Sequence, residues 1–267
     1  MLCSSLPRSG GEADHPKDGG GAATSRHCPS VSGFAAATSP WLRHREERKD
    51  DDKMIKLYGT PPTRALRALW LLNELDLPHE MIPVDLGAGE QRTPEFLALN
   101  PAAKLPVLVD GDLVVSESAA IQLYLADKYG DRFPGGGLIP ETADDRARMH
   151  HWLFFLMTEI EAPLWRIALH SFLYAADEKS DDEIALAKRD GERMVAVFEQ
   201  HMQGRDFVVG EQVTVADFNA AFTLDWAREE GLLGDAPALR AYLDAMYARP
   251  KAPVRIAEAM AALEASA

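Results

Sequence analysis

The chain has 267 residues, 46% of them hydrophobic, and a formal net charge of −14. That length and composition allow two small domains with real cores, and no apolar run approaches the roughly eighteen residues of a membrane span. The acidic surplus argues against nucleic acid or an anionic membrane as a partner.

Residues 1–53 differ from the rest of the chain. They are rich in Gly, Ser and Pro, as in Asp18-Gly-Gly-Gly21, and hold eight Lys/Arg against eight Asp/Glu. They carry no apolar periodicity, so a disordered segment is expected. Glu12, Asp14 and Asp18 interrupt any signal-peptide apolar stretch, and the acidic residues also argue against a transit peptide. The abrupt change at Met54 fits a second reading, in which Met54 is the start and 1–53 is upstream translated sequence. Both cysteines, Cys3 and Cys28, fall in this segment. The remainder therefore has no disulfide, thiolate metal site or cysteine nucleophile. The eight His lack ligand spacing; His150 and His151 are adjacent and diverge by about 100° on a helix. No metal is expected.

From Met54 the pattern predicts a strand over 55–58, a helix over about 64–75 and a strand over 80–84. A short helix over 94–98, a hairpin over 107–115 and a helix over 117–129 come next. Strands alternating with helices and ending in an antiparallel pair give a thioredoxin-like β-α-β-α-β-β-α domain over 54–129. Residues 130–140, with Gly135-Gly-Gly137, form a linker. After it only helical periods remain, over roughly 142–175, 181–203, 215–230, 236–248 and 252–264, so 141–267 is an α-helical bundle. The fold class is α/β plus all-α. Thr214-Val-Ala-Asp217 has the form of a capping box, with Val213 and Phe218 at the staple positions. Its role is folding.

Two stretches carry the most chemistry: Asn100-Pro-Ala-Ala-Lys-Leu-Pro-Val-Leu-Val-Asp110 and Ser116-Glu-Ser118-Ala-Ala-Ile-Gln-Leu-Tyr-Leu125. The first reads as a Pro-led strand running into an Asp110-Gly111-Asp112 turn. A Pro at the start of a strand leaves neighbouring backbone groups free to pair outside the sheet. The second opens a helix at Ser/Glu/Ser, where free N–H groups and the dipole favour a carboxylate. Together they make a site for an extended peptide with a free carboxylate.

Lys104-Leu-Pro-Val-Leu108 followed by Ser116-Glu-Ser118 resembles the glutathione-binding half of the glutathione S-transferase family. The resemblance extends from Met54 to about Leu263. It takes in Ile55-Lys-Leu-Tyr-Gly59, Thr60-Pro-Pro-Thr-Arg-Ala-Leu-Arg67 and Val84-Asp-Leu-Gly-Ala-Gly-Glu-Gln91. It continues through Pro94-Glu-Phe-Leu-Ala-Leu-Asn-Pro101 and Gly210-Glu-Gln-Val-Thr-Val-Ala-Asp-Phe218. It implies a bacterial-type cytoplasmic homodimer acting in detoxification, with glutathione as co-substrate and a small, mostly apolar electrophile as second partner.

Such chemistry needs a thiolate, and a free thiol with pKa near 8.5 is mostly protonated at neutral pH. A hydrogen-bond donor at the first strand's exit favours the anion. Thr63 resembles the Ser of the Ser-type classes, Thr60 is second choice, and Tyr58 falls at the place used by the Tyr-type classes. Equally, Thr63 reads as an N-cap and Tyr58 as a packed strand aromatic. The resemblance assigns Glu117 and Ser118 to the γ-glutamyl end, Leu105 with a cis Pro106 to the cysteinyl backbone, and Lys104 or Gln91 to the glycyl carboxylate. Among Trp152, Phe154, Phe155, Trp165, Arg166 and Phe172, the pair Trp165 and Arg166 is the candidate for the second-substrate pocket. Two other readings stay open. Gly87–Gln91 resembles the disulfide-reductase-like bacterial branch, and a non-catalytic glutathione-binding or interaction protein can share the fold.

Overall fold

A computed structural model describes residues 54–266. The expectations for 1–53 lie outside the described residues.

In β1 (Ile55–Tyr58), Ile55 and Leu57 are buried while Lys56 faces water, the period-2 pattern of a strand. β1 lies parallel to β2 (His79–Ile82) and antiparallel to β3 (Val107–Asp110), which pairs antiparallel with β4 (Leu113–Ser116). The sheet order is β2-β1-β3-β4. Gly111, at φ +61°, supplies the left-handed residue of the two-residue β3–β4 turn. β2 ends before the predicted 84 because Pro83 cannot donate to a ladder.

α1 (Ala65–Glu74) and α3 (Ser118–Tyr129) pack together, and α2 (Pro94–Leu99), capped by Thr93, lays Phe96 against Tyr58 of β1 and Val107 of β3. α1 is buried along most of its length because it also packs on α7 (Val215–Glu229) of the helical layer. Trp70 of α1 sits edge-on to Phe218 at 5.5 Å and beside Tyr247 at 5.0 Å. One core therefore runs from sheet to helices.

The single helix expected over 142–175 is interrupted. α4 (Ala143–Phe155) and α5 (Glu161–Ala168) are separated by a π-helical turn, Leu156–Ile160, and α5 ends in another, Leu169–Leu173. Pro163 lacks an N–H and crowds the preceding turn, and the wider π turn before it absorbs that conflict. α6 (Asp181–Met202), α7 and α8 (Pro237–Tyr247) fall within one or two residues of expectation. α9 (Ile256–Ser266) starts four residues late, since Pro253 biases Ala252 away from the helical region. At the start of α7 the buried Asp217 carboxylate accepts from the Thr214 amide at 2.7 Å and the Thr214 hydroxyl at 3.0 Å. Val213 and Phe218 are both buried beside it. No described helix is long and apolar enough to cross a membrane.

Candidate functional site

The site is built around the two ends of a short path through α1. At the exit of β1, the Gly59 amide donates to the Ile82 carbonyl at 3.0 Å. A Cβ on Gly59 would lie 2.3 Å from that of Ala65, so only glycine lets the strand pass so close to α1. The loop then turns tightly, the Thr63 amide donating to the Thr60 carbonyl at 2.9 Å. The Thr63 hydroxyl donates to the same carbonyl at 2.5 Å and accepts from the Ala65 amide at 3.3 Å. It thus begins α1 and can serve a sulfur only by exchanging the Thr60 carbonyl for it. Thr60 contributes that carbonyl. Tyr58 packs with Val84, Phe96 and Val107, its ring 6.4 Å from Phe96 and edge-on.

The other end is the start of α3. Glu117 has φ +69° and ψ +113°, which for a non-glycine residue costs on the order of 1–3 kcal/mol. Its side chain is exposed, whereas Ser118 is buried. Ser118 Oγ accepts from Arg67 Nη1 at 3.1 Å, which leaves its own hydroxyl proton free to donate. Nearby in sequence, the Asn100 side chain donates to the Lys104 carbonyl at 2.8 Å and accepts from the Ala102 amide at 3.1 Å. This shapes the loop leading to Leu105. The Leu105–Pro106 peptide is cis, and Leu105 precedes by two residues the first paired position of β3.

Buried charge joins the two ends. Glu161, at the start of α5, accepts from both Arg64 Nε and Arg67 Nη2. Arg67 Nη2 also donates to Thr223 Oγ1 of α7 at 2.7 Å. The Arg67 guanidinium is fully buried, which lowers its pKa against the attraction of Glu161. Burial raises the Glu161 carboxyl, but the two guanidiniums outweigh it and hold the group below its ordinary value. Two cations therefore share one carboxylate, one of them following Thr63 in the chain and the other bonded to Ser118.

Trp165, one helical turn after Glu161, faces the same way. Arg64 Cζ lies 4.9 Å from its ring centroid and 5.1 Å from that of Trp226, and Lys104 Nζ lies 5.6 Å from the Trp165 ring. Through Arg64, Glu161 and Arg67 the structure thus connects Lys104, Trp165 and Ser118, with Thr63 next to Arg64 in the chain. Arg166 turns away: its Nη2 meets Asp190 at 3.3 Å and its Nε meets Glu183 at 3.6 Å, both on α6. Gln91 lies on a 3₁₀ turn, Glu90–Arg92, with a buried side-chain oxygen that has no hydrogen-bond partner among the described residues. Among the described residues no group of three or more His, Cys, Asp or Glu is placed to hold a metal ion.

Sequence reasoning missed Arg67, Glu161, Thr223 and Asn100 as parts of the site. Arg67 did leave a signal. A cation in the apolar run Ala65-Leu-Arg-Ala-Leu-Trp70 must find a buried counter-charge.

The glutathione S-transferase N-terminal domain family matches residues 53–127 and the C-terminal domain family matches 148–250. The chain belongs to the glutathione S-transferase family. It is 34% identical to glutathione S-transferase 3 of Zea mays over 215 residues, covering 73% of this chain and 90% of that protein. It is 29% identical to the disulfide-bond oxidoreductase YfcG of Escherichia coli K12, covering 74% and 92%. The fold is similar to that of glutathione transferase URE2P8 from Phanerochaete chrysosporium, solved with oxidized glutathione. There the TM-score is 0.66 and the identity 26%, covering 80% of this chain and 97% of that one.

Proposed function

We propose that this chain is a cytoplasmic, homodimeric glutathione transferase of detoxification, with a glutathione-binding domain over 54–129 and a helical domain over 141–267. The γ-glutamyl carboxylate takes the Ser118 hydroxyl and the open start of α3, and its ammonium takes Glu117. The cysteinyl backbone pairs with Leu105 ahead of Pro106. Gln91 or Lys104 takes the glycyl carboxylate. The Thr63 hydroxyl turns from the Thr60 carbonyl to the sulfur and favours the thiolate, which then attacks a bound electrophile.

The observation that carries this reading is the buried Arg67, which accounts for Ser118 as a donor and links it through Glu161 to Arg64 beside Thr63. Calorimetric titration with glutathione tests it. The wild type binds, and the Glu117→Ala/Ser118→Ala double variant loses binding; equal affinity in both would refute the site. The same preparations are assayed with an aryl halide and with a small disulfide. A disulfide-reductase reading has its own support in the relative named a disulfide-bond oxidoreductase, and turnover of the disulfide alone would select it. Binding without either turnover would leave a glutathione-binding protein.

A further inference from the structure

We propose that Arg64, Lys104 and Trp165 form a cationic aromatic slot that selects an anionic second substrate, a planar aromatic electrophile bearing a carboxylate. The inference rests on the transferase reading, with Gln91 rather than Lys104 on the glycyl carboxylate, and adds the substrate's charge to it.

Arg64 follows Thr63 directly, so the slot adjoins the residue assigned to the sulfur. The Trp165 indole carries both cations within about 6 Å of its centroid, the range of cation–π attraction. All three groups are reachable: Trp165 is half-buried, the Arg64 side chain is 26% exposed and Lys104 is exposed. Their charge is unbalanced. Glu161 is divided between Arg64 and Arg67, and among the described residues Lys104 meets the Trp165 ring and no carboxylate. A substrate ring laid on Trp165 can displace the ammonium from the indole face and offer its own carboxylate in return. The attacking thiolate is itself an anion and repels an anionic substrate, and cations adjoining both offset that repulsion. For a halobenzoate, the thiol proton leaves to solvent and the sulfur bonds to the halogen-bearing carbon. The halide departs with the electrons of the broken bond.

The probes are 4-chloro-3-nitrobenzoate and the matched neutral 4-chloro-3-nitrobenzamide, each rate divided by its uncatalysed rate with glutathione. The wild type should favour the benzoate by about tenfold in kcat/KM, the scale of one charge-assisted contact. Lys104→Met should bring that ratio near one, Lys104→Glu should invert it, and Lys104→Arg should keep it. A wild-type ratio near one would overturn the inference and leave the transferase reading standing. So would a Lys104→Met variant whose glutathione KM rises with the ratio unchanged, because Lys104 would then serve the glycyl carboxylate. Glutathione binding with no turnover of either probe would overturn the transferase reading, and this inference with it.

Discussion

The two ends of α1 are both fastened to the helical layer by ion pairs, but with different charge balance. At its C-terminal end Glu74 accepts from Arg249 at 2.7 and 3.0 Å, and Asp76 meets Lys251 at 2.7 Å. Two carboxylates answer two cations. Among the described residues, Arg64 and Arg67 at its N-terminal end divide one carboxylate, and Lys104 stands over Trp165 with none. The balanced end fastens the helix. The unbalanced end also leaves positive charge where a thiolate and a peptide carboxylate are proposed to sit. An open depression of about 530 Å³ lies at the balanced end, lined by Leu72, Asp76, Pro250 and Lys251 among others. The proposed site is set apart by its charge imbalance, and this depression lies at the other end of α1.

The comparison is broken most directly by removing each end's carboxylate. Glu161→Gln should cost about 3–5 kcal/mol, because Arg67 is left fully buried without a counter-charge. Glu74→Gln should cost about 1–2 kcal/mol, because the partly exposed Arg249 regains water. Urea unfolding measures both, and equal losses would erase the distinction. Next in size, Ser118→Ala should weaken glutathione binding by about tenfold or more, the worth of a hydrogen bond to a charged group. Affinity for glutathione, read by calorimetry, should be unchanged in Glu74→Gln.

A control away from both ends is Thr214→Ala, which should lower stability by about 1 kcal/mol by weakening the α7 cap, with glutathione affinity intact. Lost affinity would tie α7 to the site more closely than the Thr223–Arg67 contact does. The smallest effect is at Asp110. Burial raises its carboxyl, but hydrogen bonds from Lys128, Tyr124 and Tyr129 outweigh this and hold it below the ordinary 3.8. That stabilisation is present above the unfolded value and is lost as pH falls through the lower folded one. Acid titration of stability below about pH 4 should therefore be shallower in Asp110→Asn than in the wild type.

Much of the α/β part was legible because its signals are local. Asp110-Gly111-Asp112 names its own hairpin, and Pro83 and Pro253 mark where a strand ends and a helix is delayed. Glu117–Ser118 and Leu105–Pro106 were read from a resemblance, with helix-start and Pro chemistry beside it. Other parts required distant partners. Arg67 meets Glu161 94 residues away, and no spacing rule reaches that far. Trp165 and Arg166 were read together, yet neighbours on a helix point about 100° apart, so one faces α1 and the other α6. Which one faces α1 is set by the π turn before Pro163, whose form depends on packing.

The measurement closest to the central claim is the pKa of the bound glutathione thiol, followed by thiolate absorbance across pH in wild type, Thr63→Ser and Thr63→Ala. The account predicts a wild-type value about two units below the free thiol's, worth roughly 2.7 kcal/mol, kept in Thr63→Ser and largely lost in Thr63→Ala. A bound thiol titrating alike in wild type and Thr63→Ala would contradict it.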